Sequence, residues 1–289
     1  MRTLKAVSLV LATALTGGAA LAQERAGDFN LIDQQGKPHQ LSRYGYLDAL
    51  VVISQATGCA ANQENMARYK VLKTNFDYRG IGFVMLNANP SDTRETIRAE
   101  DAVWKYELPI MIDDTQLVAE SLGISAAGQV VVIEPTRGNI LYRGPLESSE
   151  ENPDAGVFKL LERVADGSLD PATASVVDVA YTPAPGCELR FPARDRHLAQ
   201  VPDYETEVAP ILIERCVTCH VEGGIGPFAM NSHQMIQGWS PMIKEVIMTK
   251  RMPPMQVDPN VREWTNAGNM PVEEVQTLIH WINAGSPRT

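Results

Sequence analysis

The chain has 289 residues, with 35 acidic against 25 basic side chains and a formal net charge of −10 at pH 7. That balance opposes binding to nucleic acid or to an anionic lipid surface, both of which need a positive face. The length allows two modest domains.

Arg2 and Lys5 open the chain, an apolar stretch runs from Ala6 to Leu15, and small residues end at Ala20-Leu21-Ala22. This is the pattern of a secretory signal over residues 1–22, with cleavage before Gln23. The apolar stretch is short for a membrane span, which needs about 20 residues. No later segment is long and apolar enough to be a transmembrane helix. The mature chain is therefore expected to be soluble and exported to the periplasm.

From residue 23 to 165 strands and helices alternate. "GDFNLIDQQGKPHQL" reads as two short strands around a Gly-Lys-Pro turn. "ALVVISQ" is a continuous apolar run, as in a strand buried on both faces. A helix is predicted over 62–76, with Met66, Tyr69 and Leu72 at helical spacing. "GIGFVMLNAN" is a second buried strand, 92–106 a charged helix, "LPIMIDD" a brief strand and 116–122 a brief helix. "QVVVIEP" and "ILYRGPL" form a hairpin, and a helix over 157–165 closes the unit. Parallel crossovers followed by a hairpin define an α/β sandwich. Residues 166–202, rich in Pro, Ala and polar residues, read as a connection wrapping over a surface. Residues 203–289 are helical with long loops. One helix is predicted in "ETEVAPILIERC", another in "QMIQGWSPMIKEVIMTK" with a break at Pro241, and the last in "PVEEVQTLIHWINAG" after Pro271.

Four cysteines divide into a close pair, Cys216 and Cys219, and two distant ones, Cys59 and Cys187. Cys216-x-x-Cys219-His220 is the spacing of covalent haem attachment. Two thiols one helical turn apart can reach the two vinyl groups on one porphyrin edge, and the next histidine can ligate the iron. A zinc half-site or a reactive dithiol would use the same cysteines but does not explain His220, the export signal and the surrounding sequence together. For the sixth iron ligand the helical part offers Met230, Met235, Met242, Met248, Met252, Met255 and Met270. Methionines at helical spacing, such as Met235, Met242 and Met248, read as core filler. Met252 lies in the proline-held loop "KRMPPM", with Met255 as second choice. His233 and His280 read as structural, one in an exposed loop and one on the back of a helix.

The stretches "EVAPILIERCVTCH", "GGIGPF", "KRMPPM" and "LIHWINAGSP" resemble the small cytochrome c domain that precedes copper type II, ascorbate-dependent monooxygenase domains. The resemblance implies an all-α cytochrome c fold with one covalent haem c on Cys216 and Cys219. It implies His220 and Met252 as iron ligands, and the Pro227 carbonyl as acceptor of the His220 Nδ1 proton. Met255 stands where that family has an aromatic residue, so the distal ligand stays open between Met252 and Met255. The monooxygenase domain is absent from this sequence, and its copper chemistry is not carried over.

Residues 23–165 resemble the redoxin branch of the thioredoxin-like family, through "DFNLIDQQGKPHQLSRY", the strand–turn–cysteine of Val51–Cys59, "LPIMIDDTQLVAESLGI" and "QVVVIEP". The expected fold is thus an α/β thioredoxin-like sandwich followed by a small all-α cytochrome c domain. Two departures oppose dithiol chemistry. Asn62 stands where the two-cysteine members carry the resolving thiol. Ala127-Gly128-Gln129 stands where the family has a cis-proline. Thr57 two residues before Cys59 is compatible with a one-cysteine peroxidase, though the usual proline is missing. In an oxidising compartment the two cysteines outside the haem motif are expected to pair. A Cys59–Cys187 disulfide would close over a hundred residues and stabilise by about 4–5 kcal/mol in the chain-entropy account. Two free thiols, or a redox-active pair, are the alternatives.

These features predict a periplasmic electron carrier that exchanges single electrons with a redox partner protein, its redoxin part serving as scaffold or docking module. The alternatives are a thiol oxidoreductase or peroxidase in which Cys59 reacts, and a non-enzymatic subunit of a larger secreted oxidoreductase.

Overall fold

The structure is a computed structural model that describes residues 24–146, 156–262 and 264–288. The predicted signal, residues 1–22, lies outside the described residues.

Apolar runs build the sheet. β1 (Asn30–Asp33) and β2 (Pro38–Gln40) flank a turn at Gly36. β3 (Ala49–Gln55), β4 (Ile81–Asn87), β5 (Ile110–Ile112), β6 (Val130–Glu134), β7 (Asn139–Gly144) and β8 (Val177–Asp178) complete an eight-stranded sheet. Its order is β2-β1-β5-β4-β3-β6-β7-β8. β3 lies inside it, parallel to β4 and antiparallel to β6, and all its residues are buried. A strand without a polar face needs cover on both sides. Ala49, Val51 and Ile53 pack with α2 (Met66–Phe76) and α5 (Val157–Ala165). Leu50 and Val52 pack with Val118 and Ala119 of α4 (Leu117–Ser121).

The helix predicted over 62–76 is instead two. α1 (Ala60–Glu64) ends at Asn65, whose ψ of 1° interrupts the path before α2 begins. Asn65 Nδ2 donates to the Ala61 carbonyl (2.9 Å), a local side-chain bond that competes with helix continuation. α3 (Arg94–Trp104) starts at a capping box in which Thr93 and Thr96 bond reciprocally.

The connection after residue 165 is more ordered than its composition suggests. β8 adds in parallel to the edge of β7, and α6 (Pro192–Ala199) starts on a proline. In the C-terminal helical region, residues 204–217 wind as one helix, with α7 (Ala209–Leu212) between two π-type turns. Pro210 lies inside this helix and brings no N–H to its ladder. α8 (His233–Met248) runs through Pro241 without the predicted break. Pro241 and Gln237 are exposed, so the carbonyl left without a helical donor can be hydrated. α9 (Val272–Asn283) follows Pro271. Ile236, Ile243 and Ile247 of α8 pack with Leu278, Ile279 and Trp281 of α9 and with Tyr204, Val208 and Leu212.

The two regions share a surface. Leu117 of α4 belongs to the helical region's core, and Met248 packs against both cores. Gln276 Nε2 donates to the Thr115 carbonyl (2.9 Å), and Arg94 Nη1 pairs with Asp258 Oδ2 (2.6 Å).

Candidate functional site

The apolar β3 ends at Gln55, and the turn Ala56-Thr57-Gly58 delivers Cys59 to the start of α1. Gly58 has a φ of +79°, which favours glycine there. Two carboxylates fasten the turn. Asp92 accepts from the Thr57 N–H (2.8 Å), and Glu100 accepts from the Gly58 N–H (2.6 Å) and from the Tyr106 hydroxyl (2.6 Å). Asn62 is fully buried. It accepts from the Ala56 N–H (3.3 Å) and donates to the Ser54 carbonyl (2.8 Å). The residue standing where a second thiol would be therefore clamps the turn beneath Cys59.

Cys59 is bonded to Cys187, with a Cα–Cα distance of 5.2 Å. The segment carrying Cys187 pairs with 125–127 in antiparallel fashion. The Ala127 N–H donates to the Cys187 carbonyl (2.8 Å), and the Leu189 N–H to the Ser125 carbonyl (3.0 Å). Tyr181 Oη donates to the Ala127 carbonyl (2.8 Å) and lies where a Cβ on Gly128 would fall. The place without the family's proline is thus covered by the chain's own connecting segment. Cys59 and Cys187 are 2% and 1% exposed, so this disulfide is shielded from solvent reagents.

Cys216 and Cys219 lie at the end of the 204–217 helix and in the turn after it. Both are free, Cys216 half-buried and Cys219 exposed. Burial pushes the Cys216 thiol up to about 11. Arg215 fastens this helix end to α9 through two bonds to the Glu274 carboxylate (2.8 and 2.9 Å), the paired geometry that fixes direction as well as distance. Among the described residues, no group of three or more His, Cys, Asp and Glu side chains is arranged around a bare metal ion.

His220 is 9% exposed and donates from Nδ1 to a backbone carbonyl. The acceptor is Phe228 (3.0 Å), which corrects the expectation of Pro227. The loop explains the one-residue difference. The Gly226 N–H bonds the Cys219 carbonyl (2.8 Å) and the Met230 N–H bonds the His220 carbonyl (2.8 Å), which sets Phe228 beside the ring. A carbonyl partner places the proton on Nδ1 and leaves the Nε2 lone pair free to ligate. Gly226 passes so near the imidazole that a Cβ there would lie 2.6 Å from Nδ1, and a Cβ on Gly224 would lie 2.6 Å from the Cys219 oxygen. Phe228 stacks on Trp239 with centroids 4.6 Å apart and an interplanar angle of 13°.

These residues fit a covalent haem. Two free thiols precede an oriented histidine whose Nε2 has no hydrogen-bond partner among the described residues. Val221 and Ile225, beside the motif, are 48% and 89% exposed, apolar surface suited to cover a porphyrin.

Met252 follows α8 in a loop held by several bonds. Its N–H donates to the Val246 carbonyl (3.0 Å), its carbonyl accepts from Gln256 Nε2 (2.9 Å), and the Gly268 N–H donates to the Met255 carbonyl (3.0 Å). Arg94 of the α/β sandwich anchors the loop through Asp258. Burial opposes charge on that carboxyl, but hydrogen bonds from Arg94 and Asn260 hold it below its usual value. Met252 is 39% exposed and Met255 68%. Met252 shares a small cavity with Met270 and Val275, which also pack on the core that Cys216 joins.

Met235 and Met242 are 42% and 47% exposed, which corrects the expectation that they fill the core. His233 is not in an exposed loop. It starts α8 and bonds the Ser286 carbonyl through Nε2 (2.9 Å). His280 uses both ring nitrogens, one with His197 and one with Glu120 (each 2.8 Å). The Glu120–His280–His197 chain has no sequence signal, because three separate elements contribute to it.

Residues 22–143 match the profile of the AhpC/TSA family. That match spans most of the α/β part of the chain, and the helical region lies beyond it. Among solved structures, the chain is similar to a hypothetical protein of Sinorhizobium meliloti 1021, at 23% identity and a TM-score of 0.44, covering 58% of this chain and 93% of that one. It is also similar to an uncharacterized conserved protein from Geobacillus kaustophilus, at 19% identity and a TM-score of 0.46, covering 58% and 91%. A third is the thioredoxin domain of a thiol-disulfide oxidoreductase from Bacteroides vulgatus, at 15% identity and a TM-score of 0.41, covering 50% and 99%. No curated protein matches the chain. No helix among the described residues is long and apolar enough to cross a membrane.

Proposed function

We propose that the chain is an exported, periplasmic electron-transfer protein in which residues 203–289 form a cytochrome c domain with one covalent haem. The observation that carries this reading is the oriented His220, held by the Phe228 carbonyl and packed under Gly226, directly after two free thiols at the attachment spacing. When bound, the haem supplies an iron that cycles between ferrous and ferric states, one electron at a time. The protein side of the function is positioning. Cys216 and Cys219 tether the group, His220 presents Nε2, and the Arg94–Asp258 pair braces the loop that presents Met252. The redoxin domain acts as scaffold, which agrees with its shielded disulfide and with Asn62 serving as a clamp. Burial of both disulfide partners disfavours Cys59 as a reacting thiol, because that chemistry would need the covering segment to open first. The electron donor and acceptor in this reading are proteins of the same compartment.

The optical spectrum of the purified ferric protein tests the ligand set. Met252→Ala should change it to that of a centre without methionine ligation, and Met255→Ala should leave it as it was. The reverse pattern would assign Met255, and no change in either variant would remove methionine ligation from the reading.

A further inference from the structure

The two regions meet across a cleft of about 740 Å³, lined by none of the disulfide or haem-motif residues. That volume lies in the range of small-molecule sites, and domain junctions are a favoured place for them. Three titratable side chains line it in a row, a half-buried glutamate and two buried histidines. Glu120 comes from α4, His280 from α9 and His197 from α6. His280 Nε2 donates to Glu120 Oε2 (2.8 Å), and the Nδ1 atoms of His280 and His197 share one hydrogen bond (2.8 Å). His197 is only 8% exposed, and its Nε2 has no partner among the described residues. The row thus ends in an unpartnered imidazole nitrogen at the cleft.

The charges of the cleft are unevenly satisfied. Glu120 is held by His280, Glu245 pairs with Arg251 (2.5 Å), and Asp28 accepts from Gln40 Nε2 (2.6 Å) and the Ser42 N–H (3.0 Å). Lys244 donates to Asn283 Oδ1 (2.7 Å) and has no carboxylate partner among the described residues. Burial lowers its pKa, so a nearby anion would relieve the cost of its charge. The rest of the lining includes Leu198, Val201, Met248 and Ile279.

We propose that this cleft binds a small organic acid, with its carboxylate on Lys244 and its apolar body on Leu198, Val201, Met248 and Ile279. The proposal does not rest on the haem reading. Titration calorimetry of the full exported chain with hexanoate, hexanol and inorganic phosphate tests it. Hexanoate should bind one per chain with a dissociation constant below about 1 mM. Hexanol and phosphate, each lacking half of the match, should bind at least about tenfold more weakly. Lys244→Met should weaken hexanoate about tenfold or more and leave hexanol unchanged. Lys244→Gln, which can still bond Asn283, should behave likewise and separates lost charge from a disturbed fold. Equal binding of hexanol, full affinity in either lysine variant, or no saturable heat with hexanoate would each overturn the proposal.

Discussion

Cys187→Ala should be the most destabilising single substitution outside the apolar cores. The bond it removes joins residues 128 positions apart. A loop of that length corresponds to about 5 kcal/mol of lost denatured-state entropy. Native-state contacts add to the effect. Cys59 and Cys187 sit in a small buried cluster with Ala56, Ala61 and Ala127, and the backbone bonds of Cys187 and Leu189 to 125–127 depend on the segment staying in register. Urea titration of oxidised parent and variant should show a lower midpoint for the α/β domain. Limited proteolysis should cut the variant first between residues 180 and 190. A midpoint equal to that of the parent would show that the disulfide constrains nothing.

Gly226→Ala should act on the histidine itself. The new methyl would lie 2.6 Å from His220 Nδ1, 2.8 Å from Cγ and 2.9 Å from the Cys219 carbonyl oxygen, all nearer than side-chain carbons pack. Gly226 is not among the glycines with positive φ, so the penalty is one of space rather than of backbone conformation. The ring must turn away from the Phe228 carbonyl, and overpacking of this kind costs about 1–3 kcal/mol. Gly238→Ala is the contrast. Gly238 lies inside α8 with nothing within 4 Å of its added carbon, so alanine should stabilise by about 0.5–1 kcal/mol. Thermal melts of both variants against the parent chain separate the effects. Equal melting of Gly226→Ala and parent would mean that the loop does not position the ring.

Much of the α/β architecture was legible in the residues, because a strand buried on both faces must be mainly apolar, and β3 and β4 are so until they end on Ser54-Gln55 and Asn87. The hairpin of β6 and β7 was equally visible from Arg137-Gly138-Asn139 between two apolar runs. Local side-chain bonds were not, and Asn65 divides a helix that periodicity alone treats as continuous. Pro241 misled in the other direction. A proline inside a helix leaves one carbonyl without its donor and crowds the preceding turn, and on the exposed face of α8 that carbonyl stays open to solvent. At the candidate site, the Cys-x-x-Cys-His spacing singled out the three residues directly. The acceptor for His220 depends on how a glycine loop folds back, so counting along the chain missed it by one residue. The role of Asn62 was legible only as a missing thiol. Its two buried hydrogen bonds to Ala56 and Ser54 need the turn's three-dimensional shape. The acid–histidine row between the regions was invisible, since Glu120, His197 and His280 are brought together by tertiary packing alone.

The intact mass of the exported chain, matured in cells that assemble c-type cytochromes, tests the central claim most directly. The account predicts a coloured protein heavier by one haem, with the added mass on the peptide holding Cys216 and Cys219 and lost in Cys216→Ser/Cys219→Ser. A colourless chain of unmodified mass from the same cells, with both thiols open to alkylation, would contradict it.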